Sequence, residues 1–237
     1  MPKFDLKKTQ EVVDLFEVER ESRDEEWRQK FYVAIVDASM ATPKDQVLQG
    51  PDGFPYFVLN APPPNEGFET FCVSHILDTC LKEGLGIVVQ PEPGPPQWVF
   101  PYGLLWSFKE FGAFEMAEAD TGEHSHEEEQ DADDEPEGGA SVLTSQPSAS
   151  FFPAYARKVI KDFLQKRVGS SDLQVMMVND PQDDPQQSLS FNIFAEDFQD
   201  QQQFSNIMYR LTWFLPRHYG LVSMSKGSDL AKSFQPL

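Results

Sequence analysis

The sequence predicts an α+β protein made of two small domains, each with helices and a mixed sheet. Two observations support this prediction. Helical and strand patterns are mixed within each half of the chain, and a block of acidic residues separates the halves. With 237 residues, of which 40% are hydrophobic and 13% aromatic, the chain has enough apolar material for two small cores. We therefore expect domains over 1–114 and 151–237, joined by a disordered acidic linker over 115–150.

The first half predicts the order helix, helix, strand, helix, strand, strand, helix. Ser22 precedes Glu25 by three residues, the spacing of a capping box, and predicts where the second helix begins. Trp27, Phe31 and Ile35 follow at helical spacing and form its apolar stripe. The strands are short, apolar or aromatic, and bounded by Gly and Pro. The predicted helices span 8–21, 24–39, 68–84 and 102–114, and the predicted strands span 54–61, 85–91 and 97–101.

The second half predicts the order helix, strand, strand, helix, strand. Its first helix has Pro153 near its first turn and Gly169 at its end, as helix boundaries often do. A turn rich in Asp and Pro separates the two strands that follow. The predicted helices span 150–169 and 200–215, and the predicted strands span 172–178, 188–195 and 218–225.

The net charge of −20 is concentrated in the predicted linker. Twelve acidic residues and no Lys or Arg occur between Glu115 and Glu137, and a small polar stretch follows up to Ser150. Such a segment buries too little apolar surface to offset its ordering entropy, so we expect it to be disordered. The alternatives are a segment that attracts a basic partner, or a loose metal site at His124 and His126 without a rigid second shell.

Charge and hydropathy also limit the classes of partner. The chain has 39 acidic and 19 basic residues, and this excess of negative charge opposes binding to nucleic acid and to anionic membranes. No apolar run approaches the roughly 18 residues of a membrane span. The N-terminal stretch turns charged where a signal peptide turns apolar. We therefore expect a soluble, cytoplasmic protein.

The two cysteines, Cys72 and Cys80, lie eight residues apart in one predicted helix. This spacing corresponds to a rise of about 12 Å, which is beyond disulfide reach. We expect both to be core residues in a reducing compartment. The alternative is a reactive thiolate paired with His75, which lies one turn from Cys72.

Few other residues suggest chemistry. The glycines of Gly84–Gly86 lack the third glycine of a dinucleotide fingerprint and precede a strand, not a helix. His218 is a candidate base, and Asp183 and Asp184 are candidate acids in a turn, but structural roles explain all three. We therefore predict no catalytic residues, no metal site and no cofactor.

An aromatic cluster gives the candidate interaction residues. Trp98, Phe100, Tyr102 and Trp106 crowd near one predicted sheet edge. Large aromatic side chains often anchor protein interfaces. The alternative is that these four side chains fill the core of the first domain, and the solvent exposure of Trp98 or Trp106 distinguishes the two.

The order of elements and several motifs resemble the SseB (enhanced serine sensitivity) family. The helix "EEWRQKFYVAIVDASMATP" and the strand "FPYFVLNA" resemble the start of its N-terminal domain, and "GLGIVVQPEPGPPQWVFPYGLL" resembles its hallmark region. The second half, from "FFPAYARKVIKDFL" to "HYGLVSM", is similar in element order to the family's C-terminal domain. The resemblance implies a cytoplasmic bacterial protein of unassigned biochemical activity, and it supplies no catalytic residues.

These observations favour a non-enzymatic protein of the SseB type that acts as an interaction or regulatory module and binds a protein partner, one with a basic surface. One alternative is an acidic inhibitor or immunity-like protein that caps a basic enzyme. Another is a binder of, or enzyme acting on, an amino-acid-related small molecule. The predicted strands have edges that can pair, which leaves a homodimer open.

Overall fold

The computed structural model describes residues 5–63, 67–90, 95–116, 142–180, 185 and 187–237. These residues form six α-helices and two mixed sheets, which confirms the predicted α+β class. The helices are α1 (Leu6–Phe16), α2 (Glu25–Ile35), α3 (Val73–Glu83), α4 (Tyr102–Phe111), α5 (Ala154–Val168) and α6 (Gln201–Thr212). The strands are β1 (Val47–Gln49), β2 (Pro55–Leu59), β3 (Gly86–Val89), β4 (Trp98–Phe100), β5 (Leu143–Ser145), β6 (Gln174–Asn179), β7 (Gln187–Phe191), β8 (Gly220–Leu221) and β9 (Gln235–Pro236).

The chain divides into two compact units, each built from non-contiguous segments. Unit 1 comprises Met1–Phe114, Ala154–Ile160 and Trp213–Leu215. Unit 2 comprises Glu115–Pro153, Lys161–Thr212 and Pro216–Leu237. Two short segments from the C-terminal part of the sequence therefore belong to unit 1, whereas the predicted domain over 1–114 did not include them.

The sheet of unit 1 has the strand order β1-β2-β3-β4. Its central strands β2 and β3 are parallel, with Val58 opposite Val88, and α3 makes the crossover that a parallel pair needs. The outer strands β1 and β4 pair antiparallel. All four residues of β3 are buried, as expected for a central strand covered on both faces.

The segment Trp213–Leu215 completes the core of unit 1. The Trp213 carbonyl accepts a hydrogen bond from the Gly103 amide at 3.0 Å, and its indole N–H donates to the Tyr56 hydroxyl at 2.8 Å. The Trp213 ring also stacks on Phe54 with a centroid distance of 4.1 Å. Phe214 and Leu215 are buried.

The sheet of unit 2 has the order β5-β6-β7-β8, and β9 pairs with β6 beside β5. The pair β7–β8 is parallel, and α6 lies between the two strands in the sequence. One small apolar cluster contains Met176 and Val178 of β6 with Phe234. Partly buried side chains from 222–231 pack against it, so the C-terminal segment covers this part of the sheet.

Several local predictions differ from the structure. The first helix, predicted over 8–21, ends at Phe16, and the third, predicted over 68–84, begins at Val73. The N-cap of α2 is Asp24, whose carboxylate accepts from the Trp27 amide at 2.8 Å, so the capping box predicted at Ser22 is wrong. The structure also contains β1 and β9, which the sequence did not predict. The predicted disorder extends too far, because Leu143–Ser145 forms β5 by pairing with β6. The acidic residues of 117–137 lie outside the described residues.

None of the described helices is both long enough and apolar enough to cross a membrane.

Candidate functional site

The predicted interaction residues lie in unit 1, and most of them belong to its core. Phe100, Tyr102 and Trp106 are fully buried, so they do not reach a partner in this conformation. Tyr102 donates its hydroxyl proton to the Leu81 carbonyl at 2.9 Å, and burial raises its pKa. Trp98 is half-buried. Burial therefore excludes three of the four side chains as exposed anchors, and only Trp98 retains a partly accessible ring.

Burial opposes the alternative of a reactive thiolate at Cys72. Cys72 and Cys80 are free thiols and buried, whereas His75 is exposed. Burial raises the pKa of the Cys80 thiol to about 12, so it is protonated at neutral pH. His218 is half-buried, which lowers its pKa. Its predicted partner Asp183 lies outside the described residues.

The alternative of a metal site at His124 and His126 stays a prediction. Among the residues that the structure describes, no group of three or more His, Cys, Asp or Glu side chains could hold a metal ion. His124, His126 and Asp184 lie outside the described residues. Gly84 is the left-handed C-cap of α3, and Gly86 begins β3, so neither belongs to a phosphate-binding loop.

The clearest candidate site is a groove between α1 and α2, with a volume of about 530 Å³. Pockets of this size bind small ligands or single segments of a partner. The lining residues come from both helices and are Glu11, Asp14, Leu15, Gln29, Lys30, Val33 and Ala34. We call this surface the α1–α2 groove.

Hydrogen bonds at both ends hold α1 and α2 antiparallel. At one end, the Thr9 hydroxyl accepts from the Ser39 amide at 2.7 Å and donates to a backbone carbonyl. At the other end, the Trp27 indole donates to the Leu15 carbonyl at 2.9 Å. Thr9, Ser39 and Trp27 are buried, so both links are shielded from water. The groove is therefore preformed.

The connection between the two helices is also fixed. Arg23 donates to the Phe16 and Val18 carbonyls and to the side chain and carbonyl of Gln97. Its guanidinium lies 4.5 Å from the centroid of the Trp27 ring, at cation–π distance. Partial burial lowers the pKa of Arg23, although a guanidinium remains charged at neutral pH. Arg23 therefore ties the connection to the residue before β4.

The apolar part of the groove centres on Val33. Its relative exposure is 66%, high for an aliphatic side chain in a helix that otherwise buries its apolar residues. Ala34 beside it is buried, and Leu15 of α1 is half-buried. The groove thus exposes apolar surface that could be buried only by another group.

The charges on the groove walls are mainly negative. Glu11 and Asp14 lie on α1, and the Asp14 carboxylate accepts only from the neutral amide of Gln10, at 2.7 Å, among the described residues. Lys30 lies on the opposite wall, but Glu26 pairs with it at 2.6 Å and raises its pKa, first through their hydrogen bond. The positive charge of Lys30 is therefore largely compensated, whereas the two carboxylates are not.

The sequence predicts the two helices but not the groove between them. A signal was present at Val33, which falls outside the stripe of Trp27, Phe31 and Ile35 and so breaks the amphipathic pattern of α2. That signal identifies an apolar residue outside the buried stripe of α2, but it does not indicate a groove. The opposing wall comes from α1, and its position depends on the hydrogen bonds described above.

Comparison of the chain with protein-family models, with curated proteins and with solved structures finds no match. The resemblance to the SseB family stays a prediction.

Proposed function

We propose that this protein is a non-enzymatic, cytoplasmic interaction module of the SseB type, and that it binds a protein partner in the α1–α2 groove. The observation that carries the proposal is a preformed groove whose floor includes the exposed Val33 and whose walls carry the carboxylates of Glu11 and Asp14. Apolar surface of this kind favours burial by a partner. Two uncompensated carboxylates favour a basic one.

The chemistry of the rest of the described chain agrees with a binding role. The two thiols are buried, and Cys80 is protonated at neutral pH. Most of the aromatic side chains that first suggested an interface fill the core of unit 1. The groove walls carry carboxylates without a histidine or cysteine beside them, a set that suits recognition better than nucleophilic catalysis.

Site-specific photo-crosslinking in cells that produce the chain tests this proposal. A photoreactive amino acid replaces Val33 in one variant and Leu143 in a control variant. Leu143 is a suitable control because it is equally exposed, at 62% against 66%, and belongs to unit 2. We expect a discrete protein adduct from the Val33 position and none from the Leu143 position.

A second variant links the adduct to the groove surface. In Val33→Asp, a carboxylate that the partner would have to desolvate replaces the exposed methyl groups, and one more surface ion pair contributes too little to offset that cost. Co-purification of the crosslinked protein should therefore be lost while the thermal midpoint stays unchanged. If no protein adduct forms at Val33, or if the same adducts form at Leu143, the groove is not the binding surface. Retention of the partner by Val33→Asp would also contradict the proposal.

A further inference from the structure

We propose that the occupant of the α1–α2 groove is an amphipathic, Lys- or Arg-rich helix of about three turns in the partner protein. This inference rests on the proposed binding function and adds the class of ligand. Helix-in-groove recognition places apolar side chains at i, i+3, i+4 and i+7 into a hydrophobic cleft. We call residues 5–37, which contain α1 and α2, the helical hairpin. Its length, its apolar groove surface and its charges each favour such a ligand over an extended or acidic one.

The helical hairpin of α1 and α2, which carries the groove over residues 11–15 and 29–34, is as long as three helical turns. Helices α1 and α2 contain 11 residues each. At a rise of about 1.5 Å per residue, each extends for roughly 16 Å. A third helix lying along both can pack side chains against both walls, as helices do in antiparallel bundles. A partner segment of about 11 residues therefore spans the hairpin and covers the groove on it.

The floor of the groove suits the apolar face of a helix. Val33 projects furthest into solvent, and the flanking Leu15 and Ala34 are less exposed. The groove lining therefore offers one exposed aliphatic side chain beside two that are less exposed. The exposed Val33 side chain can pack between two apolar residues one turn apart on an opposing helix, in the way that ridges pack into grooves between helices.

The charges of the hairpin favour a basic ligand. Residues 5–37 contain ten acidic and six basic side chains. Five of the six basic side chains are engaged within the fold: Arg20 and Arg23 bind backbone carbonyls, Lys8 pairs with Asp37, Arg28 with Glu25 and Lys30 with Glu26, which leaves Lys7. Glu11 and Asp14 form no ion pair among the described residues, so Lys or Arg on the ligand can pair with both.

A peptide-display selection against the full chain tests the inference. The library holds peptides of about 12 residues with apolar side chains fixed at i, i+3, i+4 and i+7. Lys, Glu, Gln and Ser are free at all other positions. Selection runs in parallel on the wild type and on Val33→Asp. We expect the wild type to enrich Lys over Glu at the positions that flank the apolar face. Val33→Asp lacks the apolar contact, so we expect it to enrich no such peptides.

Binding of one selected peptide is then measured by fluorescence anisotropy with isosteric variants. Glu11→Gln/Asp14→Asn removes two charges from the groove and should weaken binding about fivefold, because each exposed pair contributes modestly. The matched control is Asp45→Asn/Glu69→Gln, which removes two charges from exposed residues of unit 1 that do not line the groove. This control should leave the affinity unchanged.

Several results would overturn the inference. Enrichment of Glu would exclude a basic ligand, and tolerance of a central proline in the peptide would indicate an extended one. Peptides that bind Val33→Asp as well as the wild type occupy another surface, such as the acidic stretch after Glu115. A mass in light scattering that doubles for the wild type but not for Val33→Asp would assign the groove to a second copy.

The proposed function and this inference can fail separately. If crosslinking at Val33 captures a partner but the selection enriches no basic helix, the groove binds a protein of another chemistry and only the inference fails. If neither experiment depends on Val33, both fail.

Discussion

Replacing Gly103 with alanine should destabilise unit 1, although alanine is the better helix former. Gly103 lies in the first turn of α4. A Cβ atom at this position would lie 1.9 Å from the Leu215 carbonyl oxygen and 2.3 Å from its carbon. These are backbone atoms, which cannot rotate away as a flexible side chain would. One segment must therefore move by roughly 1.5 Å before the contact reaches an ordinary distance of 3.4 Å.

The expected size follows from three contributions. Overpacking of this kind costs about 3 kcal/mol. Moving the segment also weakens the 3.0 Å hydrogen bond from the Gly103 amide to the Trp213 carbonyl, which contributes about 1 kcal/mol. Higher helix propensity offsets about 1 kcal/mol. We expect the free energy of unfolding to fall by about 3 kcal/mol.

Urea unfolding monitored by tryptophan fluorescence measures this effect directly, because all four tryptophans belong to unit 1. With a slope of about 3 kcal/mol per M, the midpoint should fall by about 1 M. Gly67→Ala is the control, since a Cβ atom there meets nothing within 4 Å, and its midpoint should stay unchanged. A midpoint for Gly103→Ala that is unchanged or higher would refute the packing of Leu215 against α4, because helix propensity alone predicts stabilisation.

Three further predictions test the hairpin and the buried thiol. Asp24→Ala should lower the free energy of unfolding by about 1 kcal/mol through loss of the α2 cap, whereas Ser22→Ala should change it by less than about 0.5 kcal/mol; equal effects in urea unfolding would contradict the capping assignment. Thr9→Val keeps the shape but leaves the buried Ser39 amide without its acceptor, so urea unfolding should show a loss of about 1–3 kcal/mol, and a neutral result would exclude this link. Cys80 should react with a disulfide reagent at pH 8 only in denaturant, because the thiol is buried and burial raises its pKa to about 12. Mass spectrometry locates the label, and rapid labelling of Cys80 in the native protein would show that the thiol is accessible.

The helix ends at Gly84 and Gly169 were predictable because local residues determine them. Gly84 ends α3 in the left-handed conformation, with φ of +72°, as its position after Lys82 suggested. Gly169 ends α5 in the same way. The cap of α2 was misassigned because Ser22 and Asp24 are both good caps, and spacing alone does not decide between them. The indole of Trp27 and the network around Arg23 fix the chain so that Asp24 is the residue at the helix terminus.

The unpredicted strands depend on pairing and not on pattern. β1 is three residues long, and its outer residues are exposed, so it carries no alternation of apolar and polar side chains. β5 has a similar exposure and follows a polar stretch, but Thr144 pairs with Val178 of β6. Edge strands of this kind gain most of their order from the neighbouring strand, which a single-sequence pattern does not contain.

The sequence does not show which segments of the chain form unit 1, for a related reason. Leu215 continues the apolar stripe of α6 in the sequence and Trp213 lies outside it, and neither position indicates a contact with Gly103 or Tyr56. A helical stripe shows which side chains are buried but not which element covers them. Only tertiary packing brings these residues into unit 1.

The aromatic cluster that the sequence singled out affects the candidate site indirectly. Trp98 lies 5.7 Å from Trp27 and 5.4 Å from Phe31, measured between ring centroids, and Phe100 stacks on Phe31 at 5.9 Å. These contacts support the inner face of α2, whereas Val33 is on its exposed face. The cluster therefore helps to fix the helix that forms one wall of the α1–α2 groove. A sequence can thus identify the side chains that position a binding surface while the surface itself, formed by two helices held together by their ends, becomes visible only in the folded chain.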